Sequence, residues 1–238
     1  MQKGDFMGMT DWKDKKVILF DLDGTLTDPG IGITNSVMHA LKHYGIAVPE
    51  RSELYKFIGP PLSESFEKYY GFSETEAVKA VEVYREYFGT KGLFENELYE
   101  GIDDLLRTLK DQGKILGLAT SKPEYFAEQI LEHFHLRTYF DFVSGSLLNG
   151  ERTDKGEVIH WALDNLKKMY GDGIAETAVM VGDREHDALG ASKNNIPVIG
   201  VLFGYGSREE FESAGADGVA ESVPELYELL TGETFREV

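Results

Sequence analysis

The stretch Val17-Ile18-Leu19-Phe20-Asp21-Leu22-Asp23-Gly24-Thr25 decides how the chain is read. Four consecutive apolar residues, preceded by Lys15 and Lys16 and followed by an Asp-x-Asp-Gly turn, predict a strand buried on both faces. Such a strand delivers Asp21 and Asp23 to its C-terminal end, the edge where open α/β sheets keep their ligands. Period two puts both carboxylates on one side if the strand continues, and Gly24 lets the backbone turn sharply against a ligand. Ionised carboxylates at a strand end are costly unless solvated, paired or bound to a metal, so two of them there point to chemistry. Spacing excludes a calcium loop, which needs Gly at its sixth position and Glu at its twelfth; here Gly24 is fourth and Gly32 twelfth. A simple Asp-Gly turn is the other reading of this stretch taken alone, and the rest of the chain weakens it.

Downstream, the apolar period changes. Ile33, Val37, Leu41 and Tyr44 recur at helical spacing up to Gly45, and Ala77, Val81, Tyr84 and Phe88 mark a second long helix over 75–88. A shorter helical piece, Leu62 to Tyr70, follows Gly59-Pro60-Pro61. Residues 29–97 therefore read as an all-helical insert, with hinges near Pro29-Gly30 and Tyr99-Glu100-Gly101. His39 and His43 have the spacing of a zinc pair but no third ligand, and read as exposed residues of that insert. The aromatic stripe at 84–88 reads as packing within it.

From Ile102 onward, helical and strand patterns alternate. Strands are predicted at Ile115–Ala119, Phe140–Val143, Ala178–Val181 and Pro197–Val201, separated by helices from Ile102, from Pro123 to His133, from Lys155 to Met169 and from Ala188 to Lys193. That alternation predicts a Rossmann-like α/β core, a parallel sheet with helices on both faces, built from residues 1–28 and 98–238 and interrupted by the helical cap at 29–97. The acidic tail from Ser207 reads as a closing helix pair.

Composition narrows the chemistry. With no cysteine among 238 residues, a thiolate nucleophile, a thiolate metal site and a disulfide are all excluded. A formal net charge of −18 argues against a broad basic face for a nucleic acid polymer. It also means that an anionic substrate needs local cations, and a carboxylate-bound divalent ion is the obvious one. The insert carries seven Lys/Arg against ten Asp/Glu and so is nearer neutral than the body, as suits a lid over an anion. No stretch approaches the roughly 18 apolar residues of a membrane span, and residues 1–16 are too polar for a signal sequence. The expectation is a cytoplasmic enzyme without a membrane partner.

Three predicted strands end in chemically useful residues: Asp21 and Asp23, Thr120 and Ser121, Gly182 and Asp183. In a parallel sheet these ends share one edge, and Asp187 follows Asp183 by one helical turn. Lys155 opens the helix after Asp154. An oxygen-only set containing Asp21 and Asp183 matches the preference of Mg²⁺. Hydroxyl, ammonium and backbone N–H groups suit a phosphoryl group, one carboxylate suits nucleophilic attack on phosphorus, and its neighbour suits proton transfer.

The order Asp21-Leu22-Asp23-Gly24-Thr25, Leu118-Ala119-Thr120-Ser121-Lys122-Pro123, Asp154-Lys155-Gly156-Glu157 and Val181-Gly182-Asp183-Arg184-Glu185-His186-Asp187 resembles the four signature motifs of the haloacid dehalogenase superfamily. Phe57-Ile58-Gly59-Pro60-Pro61 and Val201-Leu202-Phe203-Gly204-Tyr205-Gly206-Ser207 look most like its phosphoglycolate phosphatase-like branch, which includes 5′-nucleotidase-like members with a small helical cap. The resemblance implies a Mg²⁺-dependent phosphatase acting on a small phosphomonoester through an aspartyl-phosphate. Asp21 would be the nucleophile and Asp23 the acid/base. Asp21, the carbonyl of Asp23 and Asp183 would hold the metal, supported by Gly182 and Asp187, and Thr120, Ser121 and Lys155 would hold phosphate. Ser121 stands where many relatives have Asn. Gly59 and Pro60 form a possible substrate loop, and Arg51, Tyr55, Lys56 and Tyr69 are candidate cap contacts. A sugar phosphomutase of the same superfamily and a non-catalytic phosphate-ligand sensor are the competing functions. The sensor has no need to keep both a nucleophile and an acid/base.

Overall fold

The computed structural model describes residues 11–48 and 50–236. A six-stranded parallel sheet, in the order β5-β4-β1-β6-β7-β8, forms the centre. Its strands are β1 (Val17–Phe20), β4 (Ile115–Pro123), β5 (Phe142–Ser146), β6 (Ala178–Gly182), β7 (Val198–Val201) and β8 (Gly218–Ala220). β1 is fully buried because it feeds two apolar layers at once. Ile18 and Phe20 pack toward α4 (Ile102–Asp111), α5 (Glu124–His133) and α9 (Val223–Thr231), while Val17 and Leu19 pack toward α6 (Lys155–Tyr170) and α7 (Glu185–Lys193). An unbroken apolar run is what a strand covered on both faces requires. Three of the predicted elements change. β5 covers Phe142–Ser146 rather than Phe140–Val143. β4 runs through Lys122 to Pro123, beyond the predicted Ile115–Ala119 and the Thr120-Ser121 at its end, by way of a register shift after Ala119. The tail is not a helix pair: α8 (Arg208–Ala214) and α9 flank the edge strand β8, a three-residue segment too short to leave a periodic signal.

A second, two-stranded sheet pairs β2 (Thr27–Asp28) with β3 (Glu97–Leu98), antiparallel, matching Thr27 to Leu98 and Asp28 to Glu97. These strands clamp the two ends of the helical segment. Between them lie α1 (Gly30–His43), a 3₁₀ segment at Arg51–Phe57, α2 (Leu62–Tyr70) and α3 (Glu74–Tyr87). Asp28 Oδ1 accepts the Gly30 N–H at 2.9 Å, satisfying an otherwise free donor at the start of α1. α3 begins with a reciprocal cap between Ser73 and Glu76 and runs on into a single π turn at Phe88–Gly92. The insert's apolar residues, including Leu54, Phe57, Phe66 and Tyr84, join the same buried cluster as α4 and α5, so insert and sheet are packed together. Among the described residues, no helix is long and apolar enough to cross a membrane.

Candidate active site

β4, β1 and β6 are adjacent, and Phe20 is level with both Leu118 and Val181. Asp21 therefore emerges beside the ends of its two neighbours, and residues more than 150 positions apart in sequence meet there. Lys155 Nζ, at the start of α6, lies 2.9 Å from Asp21 Oδ1 and 2.9 Å from Asp187 Oδ1, and donates to the carbonyl of Ala119 at 3.1 Å. The Leu22 N–H also donates to Asp21 Oδ1, at 2.8 Å. One Asp21 oxygen is thus held on two sides, while Oδ2 has no hydrogen-bond partner among the described residues. Asp183 Oδ2 accepts the Tyr205 N–H at 2.8 Å, whereas its buried Oδ1 has no hydrogen-bond partner among the described residues. Asp187 caps α7 by accepting the Arg184 N–H at 3.1 Å. Gly182 leaves the room Asp187 needs, since a Cβ there would fall 2.1 Å from the Asp187 carboxyl carbon.

The carboxylates of Asp21, Asp183 and Asp187 offer oxygens within 4.8 Å of one another, all buried. When all three are ionised, the ammonium of Lys155, the one cation paired with them among the described residues, leaves two negative charges uncompensated in a buried site. Burial, then Asp187 and Asp21, push the Asp183 carboxyl well above the ordinary carboxylate range. Burial likewise raises Asp187, opposed by Lys155, to about 6. For Lys155, burial alone would lower the pKa, but Asp187 and Asp21 outweigh it and the ammonium is held firmly. An oxygen-only donor set, excess negative charge and the orphaned Asp183 Oδ1 all fit a hard divalent cation such as Mg²⁺.

Asp23 does not join that cluster with its side chain. Its carboxylate faces the insert and pairs with Lys122, Nζ to Oδ2 at 2.8 Å, with the lysine side chain only 6% exposed. The Lys122 ammonium also lies 4.4 Å from the centre of the Phe88 ring in the π turn. Burial raises the Asp23 pKa and Lys122 partly offsets the rise. Lys122 lies within the Leu118–Pro123 motif, where residue pattern alone assigns it no role. Its aim depends on the register shift in β4, which leaves no mark in residue pattern.

Between sheet and insert lies a cavity of about 360 Å³. Asp23, Ser121 and Lys122 reach it from the sheet, and Gly59 and Pro60 line it from the insert. Ile33, Phe57, Val81, Tyr84, Phe88 and Phe126 give it an apolar, largely aromatic wall. Tyr84 and Phe88 thus face the cavity as well as packing the insert. Thr120 is buried behind this surface, its Oγ1 accepting the Lys122 N–H at 3.3 Å. The four cap residues singled out from sequence lie elsewhere. Arg51 bonds to Thr34 and Asn35, Lys56 sits over the Tyr69 and Tyr70 rings, Tyr69 packs on Phe57, and Tyr55 packs against Tyr205. The insert cation that lines the cavity is Arg85.

Residues 18–201 match the haloacid dehalogenase-like hydrolase family. The chain belongs to that family. It is 48% identical over 197 residues to a 5′-nucleotidase from Pseudomonas aeruginosa, covering 82% of this chain and 86% of that protein. The solved structure of a predicted phosphatase from Clostridium acetobutylicum superposes with a TM-score of 0.84 at 50% identity, covering 89% of this chain and 96% of that one. The tyrosine-protein kinase PtkA of Mycobacterium tuberculosis is 37% identical over 217 residues, covering 90% of this chain and 72% of that protein.

Proposed function

We propose that this family member is a Mg²⁺-dependent phosphomonoester hydrolase working through an aspartyl-phosphate, with residues 29–97 as its cap and a nucleoside 5′-monophosphate as its preferred class of substrate. The observation that carries the reading is the division of labour between the two strand-end carboxylates. Asp21 has one oxygen fixed by Leu22 N–H and Lys155 and the other free for attack, while Asp23 sits raised in pKa on the cavity side. In the first half-reaction Asp21 Oδ2 bonds to phosphorus, the ester P–O bond breaks, and Asp23 gives its proton to the departing alkoxide. In the second, Asp23 takes a proton from water as that water attacks phosphorus, releasing inorganic phosphate and restoring Asp21. Lys155 and the Ser121 hydroxyl hold phosphoryl oxygens, with Thr120 behind them. Asp21, the Asp23 carbonyl and Asp183 would hold the metal ion, which when bound supplies positive charge beside the phosphoryl oxygens. Asp187 and Gly182 support this set by fixing Lys155 and giving Asp187 its place.

The aromatic and apolar cavity wall favours a base and sugar over a small carboxylate, and the likeness to a 5′-nucleotidase supports the same choice. The test is inorganic phosphate release from nucleoside 5′-monophosphates and phosphoglycolate side by side, with and without Mg²⁺. Metal-dependent release favouring the nucleotides is expected. Preference for phosphoglycolate would overturn the substrate class, and isomerisation of sugar phosphates without release would point to a mutase. Transfer to a protein tyrosine, as the name of the mycobacterial relative suggests for that protein, would leave the phosphate covalently bound and none released to water.

A further inference from the structure

Two arginines cross the seam between sheet and insert in opposite directions, and each ends on a backbone carbonyl beside the cavity. Arg184, directly after Asp183, sends Nη1 to the Ile58 carbonyl in the insert at 2.7 Å. Arg85, on α3, sends Nη1 to the Leu148 carbonyl after β5 at 2.9 Å. Both receiving segments line the cavity, through Gly59, Pro60 and Pro61 on one side and Leu147, Leu148 and Asn149 on the other.

The Arg184 contact is the more firmly built. Its Nε donates to Glu210 Oε1 at 2.9 Å, and the same oxygen accepts the Glu185 N–H at 2.6 Å, so the guanidinium is fixed on the sheet side before it reaches the insert. Its stem lies against Gly59, where φ is +102° and a Cβ would come within 2.9 Å of Arg184 Cγ. Only glycine suits both the backbone angle and the approach. Two prolines follow and stiffen the loop.

We propose that Arg184 is a positioning residue that pins the Ile58–Pro61 loop as one wall of the substrate cavity, with Arg85 closing the opposite side, and that this pair of clasps selects for leaving groups filling the closed cavity. Arg184 touches neither the Asp21 oxygen that attacks nor Asp23, so its effect falls on binding. Arg184 serves Glu210 through Nε and the Ile58 carbonyl through Nη1, two nitrogens held a fixed distance apart, a geometry that the one nitrogen of an ammonium does not reproduce. The kinetic part rests on the hydrolase reading; the structural part does not.

The experiment is amide hydrogen exchange of the intact, substrate-free protein, comparing wild type with Arg184→Met and Arg184→Lys. Loss of a charge-assisted hydrogen bond to a carbonyl should speed exchange across residues 54–66 by about tenfold in both variants, with β1 and β6 unchanged. Unchanged exchange in that segment, or an equal rise in β1 and β6, would overturn the proposal, as would full protection in the Lys variant. With p-nitrophenyl phosphate as the probe, Arg184→Met should raise KM by about tenfold and change kcat little. An equal loss in kcat at constant KM would overturn the binding role. Failure of all variants, wild type included, to release phosphate would sink the hydrolase reading and leave the exchange result standing.

Discussion

Lys122 and Asp23 form a buried pair whose members need each other. Removing the ammonium leaves a carboxylate in a pocket that already penalises its charge, so Lys122→Met is expected to cost about 2–4 kcal/mol in urea unfolding. Adding Asp23→Asn to Lys122→Met removes the stranded charge and should recover much of that loss; simple additivity of the two single changes would contradict the pairing. Asp21→Asn tests a different property. It keeps shape and takes away the proposed nucleophile, so phosphate release should fall by at least about 10³-fold with the circular dichroism spectrum unchanged. Substantial residual turnover would rule out the covalent route. The residues legible in the sequence, Asp21, Asp23, Asp183 and Lys155, are those whose position follows from a strand end or a helix start. Lys122, Arg184, Tyr205 and Arg85 were not legible in these roles. Lys122 depends on a shift in β4, Tyr205 acts on Asp183 through its backbone N–H, and the arginines end on carbonyls that every residue possesses.

At the level of elements, helices were the easiest to read and short strands the hardest. α2 coincides with its apolar pattern from Leu62 to Tyr70, and β1 follows from its unbroken run. β2, β3 and β8 have two or three residues each, too few for any period, although β2 and β3 join the ends of the insert. The π turn at Phe88–Gly92 was equally hidden, because the apolar stripe of α3 continues into it. That turn packs on α1 backbone to backbone: a Cβ at Gly32 would fall 1.9 Å from the Gly92 carbonyl oxygen. Gly32→Ala must therefore push the turn outward, and with it the Phe88 ring that covers Lys122. The expected result is a loss of about 1–3 kcal/mol in stability together with a raised KM for the best phosphomonoester. A variant with wild-type KM and melting temperature would show that the turn is free to move without consequence for the cavity.

For the whole molecule, the balance of charge sets how stability should respond to acid and to metal. The chain carries −18 overall, and three of its carboxylates are buried against one lysine. Burial raises Asp187 to about 6, and burial with Asp187 and Asp21 holds Asp183 well above its ordinary value. A carboxyl whose folded pKa lies above its unfolded one binds its proton more tightly when folded. Its cost is absent below about pH 4 and grows as pH rises through its folded pKa. Metal-free protein should therefore melt at a higher temperature at pH 5 than at pH 7, with the Asp187 part of the slope lying between about pH 4 and 6 and Asp183 acting in the same direction. Easing of the general negative charge on acidification acts in the same direction, so acid alone does not isolate the cluster. A divalent cation does. At pH 7, Mg²⁺ should raise the melting temperature and flatten the pH slope by binding the folded state, well beyond sodium chloride at matched ionic strength. In Asp183→Asn the rise with Mg²⁺ should disappear and the slope between pH 5 and 7 should shrink. Equal effects of the two salts on the wild type, or a full Mg²⁺ response in Asp183→Asn, would place the cation away from the three carboxylates.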